Sequence, residues 1–223
     1  MSKPNMDEKW REIFDCKASL NIPEHEMSCW SKEGYDELLD VTKKIFFDLK
    51  KSENDSAKNE IKNVLDVGCG PGAYCKFFKE QGLEVLGVDY SENTISVAKN
   101  KYSEINFKVE DGYNLSFDNK TFDLVISIGA LQCLYDHEKF VNELIRVSKK
   151  FVIISTLYRQ RKSSDPFKIL AKQLKKDSWP TREYHPSELI ELFEKANFKT
   201  KIIKKNGKKL IKDGFFVIAE RKN

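Results

Sequence analysis

The spacing of hydrophobic positions changes along the chain. Between residues 7 and 51 they recur every three or four, most clearly at Leu38, Leu39, Val41, Ile45, Phe46 and Leu49, which predicts two helices. A polar stretch over 50–62 reads as a linker into the remainder. From there short apolar runs alternate with amphipathic segments: strands over 61–67, 84–89, 105–109, 122–127 and 151–156, helices over 73–81, 92–101 and 137–148. Gly82 stops the first of these helices and Ser91 caps the second. Strand, helix, strand in repetition implies a parallel sheet with right-handed crossovers.

The rhythm breaks after the fifth strand. Residues 157–180 are polar and basic and carry Pro166, Trp179 and Pro180, so a lid-like insertion is expected over 157–185. A helix over 186–196 begins at Pro186 or Ser187 and ends at Asn197. Strands over 199–204 and 214–220 follow, joined by Asn206-Gly207, a hairpin signal that makes the C-terminal strand antiparallel. The whole is expected to be one α/β domain over 1–223: seven strands, mostly parallel and doubly wound, with helices on both faces and an N-terminal helical cap over 7–51.

Composition narrows the class. With 40% hydrophobic and 33% charged residues the chain has the make-up of an ordinary globular protein, far from that of disorder. No run reaches the roughly 18 apolar residues of a membrane span, and the polar start carries no apolar signal core, so a cytoplasmic protein is expected. The five cysteines, Cys16, Cys29, Cys69, Cys75 and Cys133, lack C-x-x-C spacing; reduced thiols and no metal site are expected. Net charge is +4, but unevenly placed: residues 149–223 hold 20 Lys/Arg against 8 Asp/Glu, and the first 148 hold 19 against 27. That basic third is either a solvated face or a nucleic-acid footprint.

The chemistry gathers at Val64-Leu65-Asp66-Val67-Gly68-Cys69-Gly70-Pro71-Gly72. Three glycines between a strand and a helix let the backbone turn sharply and a ligand come close. Counted with Ala73 as G-x-G-x-x-A, and with Asp89 21 residues after Gly68, the loop also fits a dinucleotide fingerprint. It is no Walker loop, because no Gly-Lys-Ser/Thr follows. Asp66 favours a cationic ligand, since a carboxylate beside an anionic pyrophosphate gains nothing. S-adenosylmethionine carries a sulfonium and an α-ammonium, and its one carboxylate suits the helix N-terminus at Ala73.

The ordered set of segments resembles the class I S-adenosylmethionine-dependent methyltransferases, in particular the small-molecule group similar to the ubiquinone and menaquinone C-methylases. It consists of the loop over 64–72, Gly87-Val88-Asp89-Tyr90-Ser91, Glu110-Asp111-Gly112, and Phe122-Asp123-Leu124-Val125-Ile126-Ser127. The resemblance covers 61–156 and implies a Rossmann-like fold. It further implies that Asp66, Gly68, Cys69 and Gly70 meet the cofactor, that Asp89 takes the ribose hydroxyls, and that Tyr90 packs on adenine. Asp111 would accept from the adenine amino group, with Gly112 and Tyr113 offering backbone N–H to the ring; alternatively Asp111 is the acid of a turn. Ser127, Ile128 and Gln132 would stand at the methionyl and acceptor end.

Tyr35 either covers the methionyl carboxylate or packs, Asp123 reads as a strand-entry residue, and Cys133 as a small core residue. Methyl transfer by in-line displacement needs alignment more than acid–base groups, so no catalytic residue is assigned among His25, His137 and His185. An acceptor pocket is expected between Trp30 and Tyr35 on one side and Tyr158, Phe167, Trp179 and Tyr184 on the other. The expected function is methyl transfer from S-adenosylmethionine to a small molecule. The alternatives are an RNA methyltransferase using the basic stretches 159–176 and 199–212, a nicotinamide dehydrogenase, or a binding protein with a vestigial site.

Overall fold

Apolar strands of a parallel sheet must be covered on both faces, and the chain supplies helices for each. The computed structural model describes residues 6–52, 60–158, 181–204 and 214–222. Three helices come first, α1 (Met6–Ser19), α2 (Glu24–Met27) and α3 (Lys32–Ser52). The alternating part follows as β1 (Asn63–Val67), α4 (Ala73–Glu80), β2 (Glu84–Asp89), α5 (Glu92–Lys101), β3 (Asn106–Val109), β4 (Phe122–Ile128), α6 (His137–Val147) and β5 (Ser148–Leu157). Then come α7 (Pro186–Lys195), β6 (Phe198–Lys204) and β7 (Gly214–Arg221).

The strands form one seven-stranded sheet in the order β3-β2-β1-β4-β5-β7-β6. The first five are mutually parallel and β7 runs antiparallel to both neighbours, β5 and β6. One face buries Ile45 and Phe46 of α3, Phe78 of α4 and Ile95 of α5; the other buries Phe140 and Leu144 of α6 with Leu189 and Phe193 of α7. Among the described residues no helix is long and apolar enough to cross a membrane.

Boundaries differ from the sequence pattern where polar side chains intervene. The first strand starts at Asn63, although Ile61 is buried, because the N–H groups of Lys62 and Asn63 donate to Asp123 Oδ2 at 3.0 and 3.4 Å. Asn63 Oδ1 accepts from the N–H of Asp123 in return, fastening the starts of β1 and β4 and giving Asp123 its strand-entry role. The last helix is capped by His185, whose ring nitrogen accepts from the N–H of Ser187 while Glu188 accepts from the N–H of His185 at 2.7 Å. Pro186 and Ser187 are thus inside the helix, which Asn197 ends in a left-handed conformation with φ +64°. The turn at Asn206-Gly207 lies outside the described residues, as do Pro166, Phe167, Trp179, Pro180 and the basic stretch 159–176.

Because β1 is flanked by β2 on one side and β4 on the other, the crossovers diverge there and leave a crevice at the strand C-termini. Gly72 leads from the loop after β1 into α4, with φ +96° and the Phe107 ring 2.8 Å from where a Cβ would stand. Gly72→Ala is expected to cost about 2–4 kcal/mol from backbone strain and overpacking together, read as a lowered midpoint in urea.

Candidate functional site

A cavity of about 660 Å³ occupies the crevice. The loop after β1 contributes Gly68, Cys69 and Gly70; Asp89 ends β2 and Tyr90 follows it; Asp111, Gly112 and Tyr113 follow β3; Ile128 ends β4. These nine residues, far apart in sequence, are brought together. Asp66, Ser127 and Gln132 are not in the lining.

The loop owes its shape to its glycines and to Asp89. Gly68 and Gly70 take φ of +76° and +52°, and a Cβ on Gly68 would meet that of Ala130 at 2.6 Å. Half-buried Asp89 accepts from the N–H of Gly70 through Oδ2 and from that of Ser91 through Oδ1, both at 3.0 Å. One carboxylate therefore spans the glycine loop and the start of α5. Burial raises its pKa above the ordinary carboxylate value, against the backbone N–H groups that lower it.

Asp66 is buried beneath the loop. Its Oδ2 accepts from the Cys75 thiol at 3.3 Å, and its Oδ1 has no partner. Burial pushes the carboxyl up to about 7; Cys75 opposes this and Asp89 adds to it. An orphaned buried carboxyl oxygen beneath the loop that lines the cavity suits a cationic group.

Other expected residues have local duties. The N–H of Tyr113, expected to face the adenine ring, instead donates to Asp111 Oδ1 at 2.9 Å, so exposed Asp111 is the acid of a turn and keeps Oδ2 for other partners. Gln132 is buried: its Nε2 donates to the carbonyl of Gly129 at 2.6 Å and its Oε1 accepts from Thr156 at 3.4 Å, closing the loop after β4. Ser127 is fully buried in the sheet, with its hydroxyl unpartnered. Cys133, expected in the core, is buried but also reaches the cavity wall.

The mouth is covered by the N-terminal helices. Trp30 and Tyr35, expected on one side of an acceptor pocket, line the cavity, the Tyr35 hydroxyl donating to Glu24 Oε2 at 3.2 Å. Glu24 Oε1 also takes the Tyr102 hydroxyl at 2.9 Å and Lys101 at 2.8 Å, tying α2 to α5 and its end. Tyr184, expected in the acceptor pocket, is fully buried with its hydroxyl on the Leu131 carbonyl at 3.1 Å; its ring packs on His137.

Sequence reading missed Asp7, Glu8, Arg11 and Phe14 of α1, which line the cavity. The spacing of Met6, Trp10 and Phe14 by fours carried the signal of a docked helix face. The lining carboxylates Asp7, Glu8, Asp89, Glu110 and Asp111 outnumber the single cation Arg11. Among the described residues no group of three or more His, Cys, Asp or Glu is arranged to hold a metal.

A doubly wound sheet with a glycine loop after β1, an acid ending β2 and an acidic turn after β3 defines a class I S-adenosylmethionine-dependent methyltransferase, and this chain belongs to that family. Residues 65–154 match the family described as methyltransferase domain. A ubiquinone biosynthesis O-methyltransferase of Pelagibacter ubique is 31% identical over 174 residues, 72% of this chain and 71% of that protein. The norajmaline N-methyltransferase of Rauvolfia serpentina is 34% identical over 115 residues, 47% of this chain and 39% of its own length. The chain thus spans only about two fifths of that relative. Magnesium protoporphyrin IX methyltransferase from Synechocystis, solved with bound S-adenosylmethionine, shares the fold over 100% of both chains with a TM-score of 0.71 at 14% identity.

Proposed function

We propose that the chain transfers a methyl group from S-adenosylmethionine to a small molecule. The observation that carries this is the carboxylate-rich cavity at the divergence of β1 and β4, with the orphaned Asp66 oxygen beneath it. The residues present suit the cofactor: Gly68, Cys69 and Gly70 for the methionyl part, Asp89 for the ribose hydroxyls, and Tyr90, Asp111, Gly112 and Tyr113 for the adenine. Ile128 stands at the methionyl end, with Ser127 buried behind it and Gln132 holding the loop after β4.

When bound, the cofactor supplies a methyl group on positively charged sulfur, already activated for in-line displacement. The chain's task is to align two reactants and exclude water, which effective-molarity arguments value at about 7–11 kcal/mol of barrier. Asp89 holds the loop rigid through the N–H of Gly70, while Trp30 and Tyr35 cover the mouth. A smaller apolar hollow adjoins, sharing Trp30 and Gly129 and lined by Leu38, Val41, Phe215 and Phe216. We assign the acceptor to that side, and its walls favour a flat or apolar molecule. The printed relatives include both N- and O-methyltransferases, and the acceptor atom stays open between them.

RNA as acceptor is the weaker reading. The described basic residues Lys199 and Lys201 are on β6, separated from β4 by β5 and β7, and the cavity wall repels phosphate. A cytoplasmic setting belongs to the proposal and is supported by five free thiols. We also take the chain as one domain over 1–223, its N-terminal helices forming the cap over 7–51, with 157–185 as the lid.

S-adenosylhomocysteine at 100 times its Kd is expected to stabilise the protein by about 2.7 kcal/mol in a thermal-shift assay, with NAD giving no shift. The reverse pattern would make the protein a dinucleotide enzyme. Transfer of a labelled methyl group to candidate acceptors then tests turnover.

A further inference from the structure

One residue of α1 reaches both aromatic side chains that follow β2 and β3 at the cavity. The Tyr90 hydroxyl donates to the backbone carbonyl of Asp7 at 3.3 Å, and the Tyr113 hydroxyl donates to Asp7 Oδ1 at 3.0 Å. The same Oδ1 accepts from the N–H of Tyr135 at 3.0 Å. The Tyr113 oxygen in turn accepts from the N–H groups of Tyr135 and Asp136 at 3.1 and 3.3 Å. Segments separated by as many as 128 residues converge on this carboxylate. Burial, first, and nearby carboxylates raise the pKa of both tyrosines, so their hydroxyls remain donors at neutral pH.

The rest of α1 is fixed as well. Met6 and Trp10 are buried against Cys133, and Asp15 at the far end accepts from the Ser91 hydroxyl at 2.6 Å. Between these fastenings Asp7, Glu8, Arg11 and Phe14 line the cavity. The helix therefore lies across the mouth, held by Asp7 toward one end and Asp15 toward the other.

We infer that Asp7 is a positioning residue: from α1 it sets Tyr90 and Tyr113 at the nucleoside end of the site and closes the helix over the bound nucleoside. This rests on the cavity being the cofactor site proposed above. A ligand leaving past a helix that has lost one fastening should leave faster, so the effect belongs mainly in the dissociation rate.

The test measures S-adenosylhomocysteine binding by calorimetry and its release by rapid-mixing displacement, for the unaltered protein and a set of variants. Asp7→Ala is expected to raise both Kd and the dissociation rate on the order of 10-fold. Asp7→Asn keeps the Oδ1 acceptor and should return to within about 3-fold of the unaltered protein. Tyr113→Phe should come close to Asp7→Ala, and the double variant should fall well short of the sum of the two, because both changes break the Tyr113–Asp7 hydrogen bond and the network around it. Glu12→Ala, exposed on the same helix, should change nothing.

If the unaltered protein does not bind S-adenosylhomocysteine, the cofactor reading falls. If it binds, but Asp7→Ala binds and releases within about twofold of it, or the two effects simply add, the role of Asp7 is overturned and the cofactor reading stands. A lowered melting temperature without change in release would likewise reduce Asp7 to packing. Should Asp7→Ala fail to fold, Tyr113→Phe leaves α1 intact and is judged by the same thresholds.

Discussion

An Asp89→Asn chain is expected to bind S-adenosylhomocysteine about 100-fold more weakly than the unaltered protein in a calorimetric titration, while remaining folded. The reasoning starts from lone pairs. Each Asp89 oxygen already accepts one backbone N–H, from Gly70 or Ser91, and keeps a second lone pair for a ligand hydroxyl. An amide has one acceptor oxygen and an NH₂ group, so one of the two N–H donors would face another donor. Hydrogen bonds to a charged group contribute roughly 1.5–3 kcal/mol each, and at least one is lost to the loop as well as those to the ribose. The loop would keep its glycines but lose the brace that holds it before the ligand arrives. Affinity within about fivefold of the unaltered protein would remove Asp89 from the ribose-binding role.

The second large effect is one of pH. The Asp66 carboxyl, ordinarily near 3.8, is pushed up to about 7 in the folded chain, first by burial and further by Asp89, with Cys75 opposing. A raised folded pKa means the folded state holds a proton that the unfolded chain has released. That contribution to stability is full below 3.8 and is lost as pH rises through about 7. A cationic ligand favours the ionised form, so binding should release a proton. Affinity for S-adenosylhomocysteine, which bears the α-ammonium, should rise as much as about tenfold per pH unit up to 7 and then level.

The groups facing Asp66 are Tyr74 and Cys75 of α4, Cys69 of the loop and Asp89 of β2. Burial raises both thiols and the Tyr74 phenol, which keeps them neutral across this range. Asp66→Asn should therefore flatten the profile between pH 5.5 and 8. It should also make the empty protein more stable at pH 8, because an isosteric neutral group replaces a buried charge. A flat profile for the unaltered protein would exclude Asp66 as the titrating group.

The alternating half of the fold could be read from the sequence with small boundary errors, because the apolar runs of β1, β2, β4 and β5 are continuous and their helices have one apolar face. The glycine loop was visible for the same local reason: Gly68, Gly70 and Gly72 all adopt positive φ. What escaped depends on contacts made across the chain. Asp7 is an ordinary first-turn acid of a helix, and only tertiary structure brings Tyr113 and Tyr135 to it. Gln132 follows β4 and walls the smaller hollow, and its amide also closes its own loop, a contact that only the folded chain reveals. His185 caps α7 although imidazole is not among the favoured capping side chains, and Glu188 supplies the reciprocal bond.

The placement of β7 has a consequence for synthesis. It is the last of the seven strands in the chain, yet it separates β5 from β6, and β6 has no other sheet neighbour among the described residues. While the chain is being made, β1 to β5 can pair as each emerges, and the cofactor crevice between β1 and β4 can form early. β6 must wait for its partner. Phe215 and Phe216, which wall the hollow assigned to the acceptor, arrive only with that final strand. A nascent chain would thus acquire the nucleoside half of its pocket before the half that selects what is methylated.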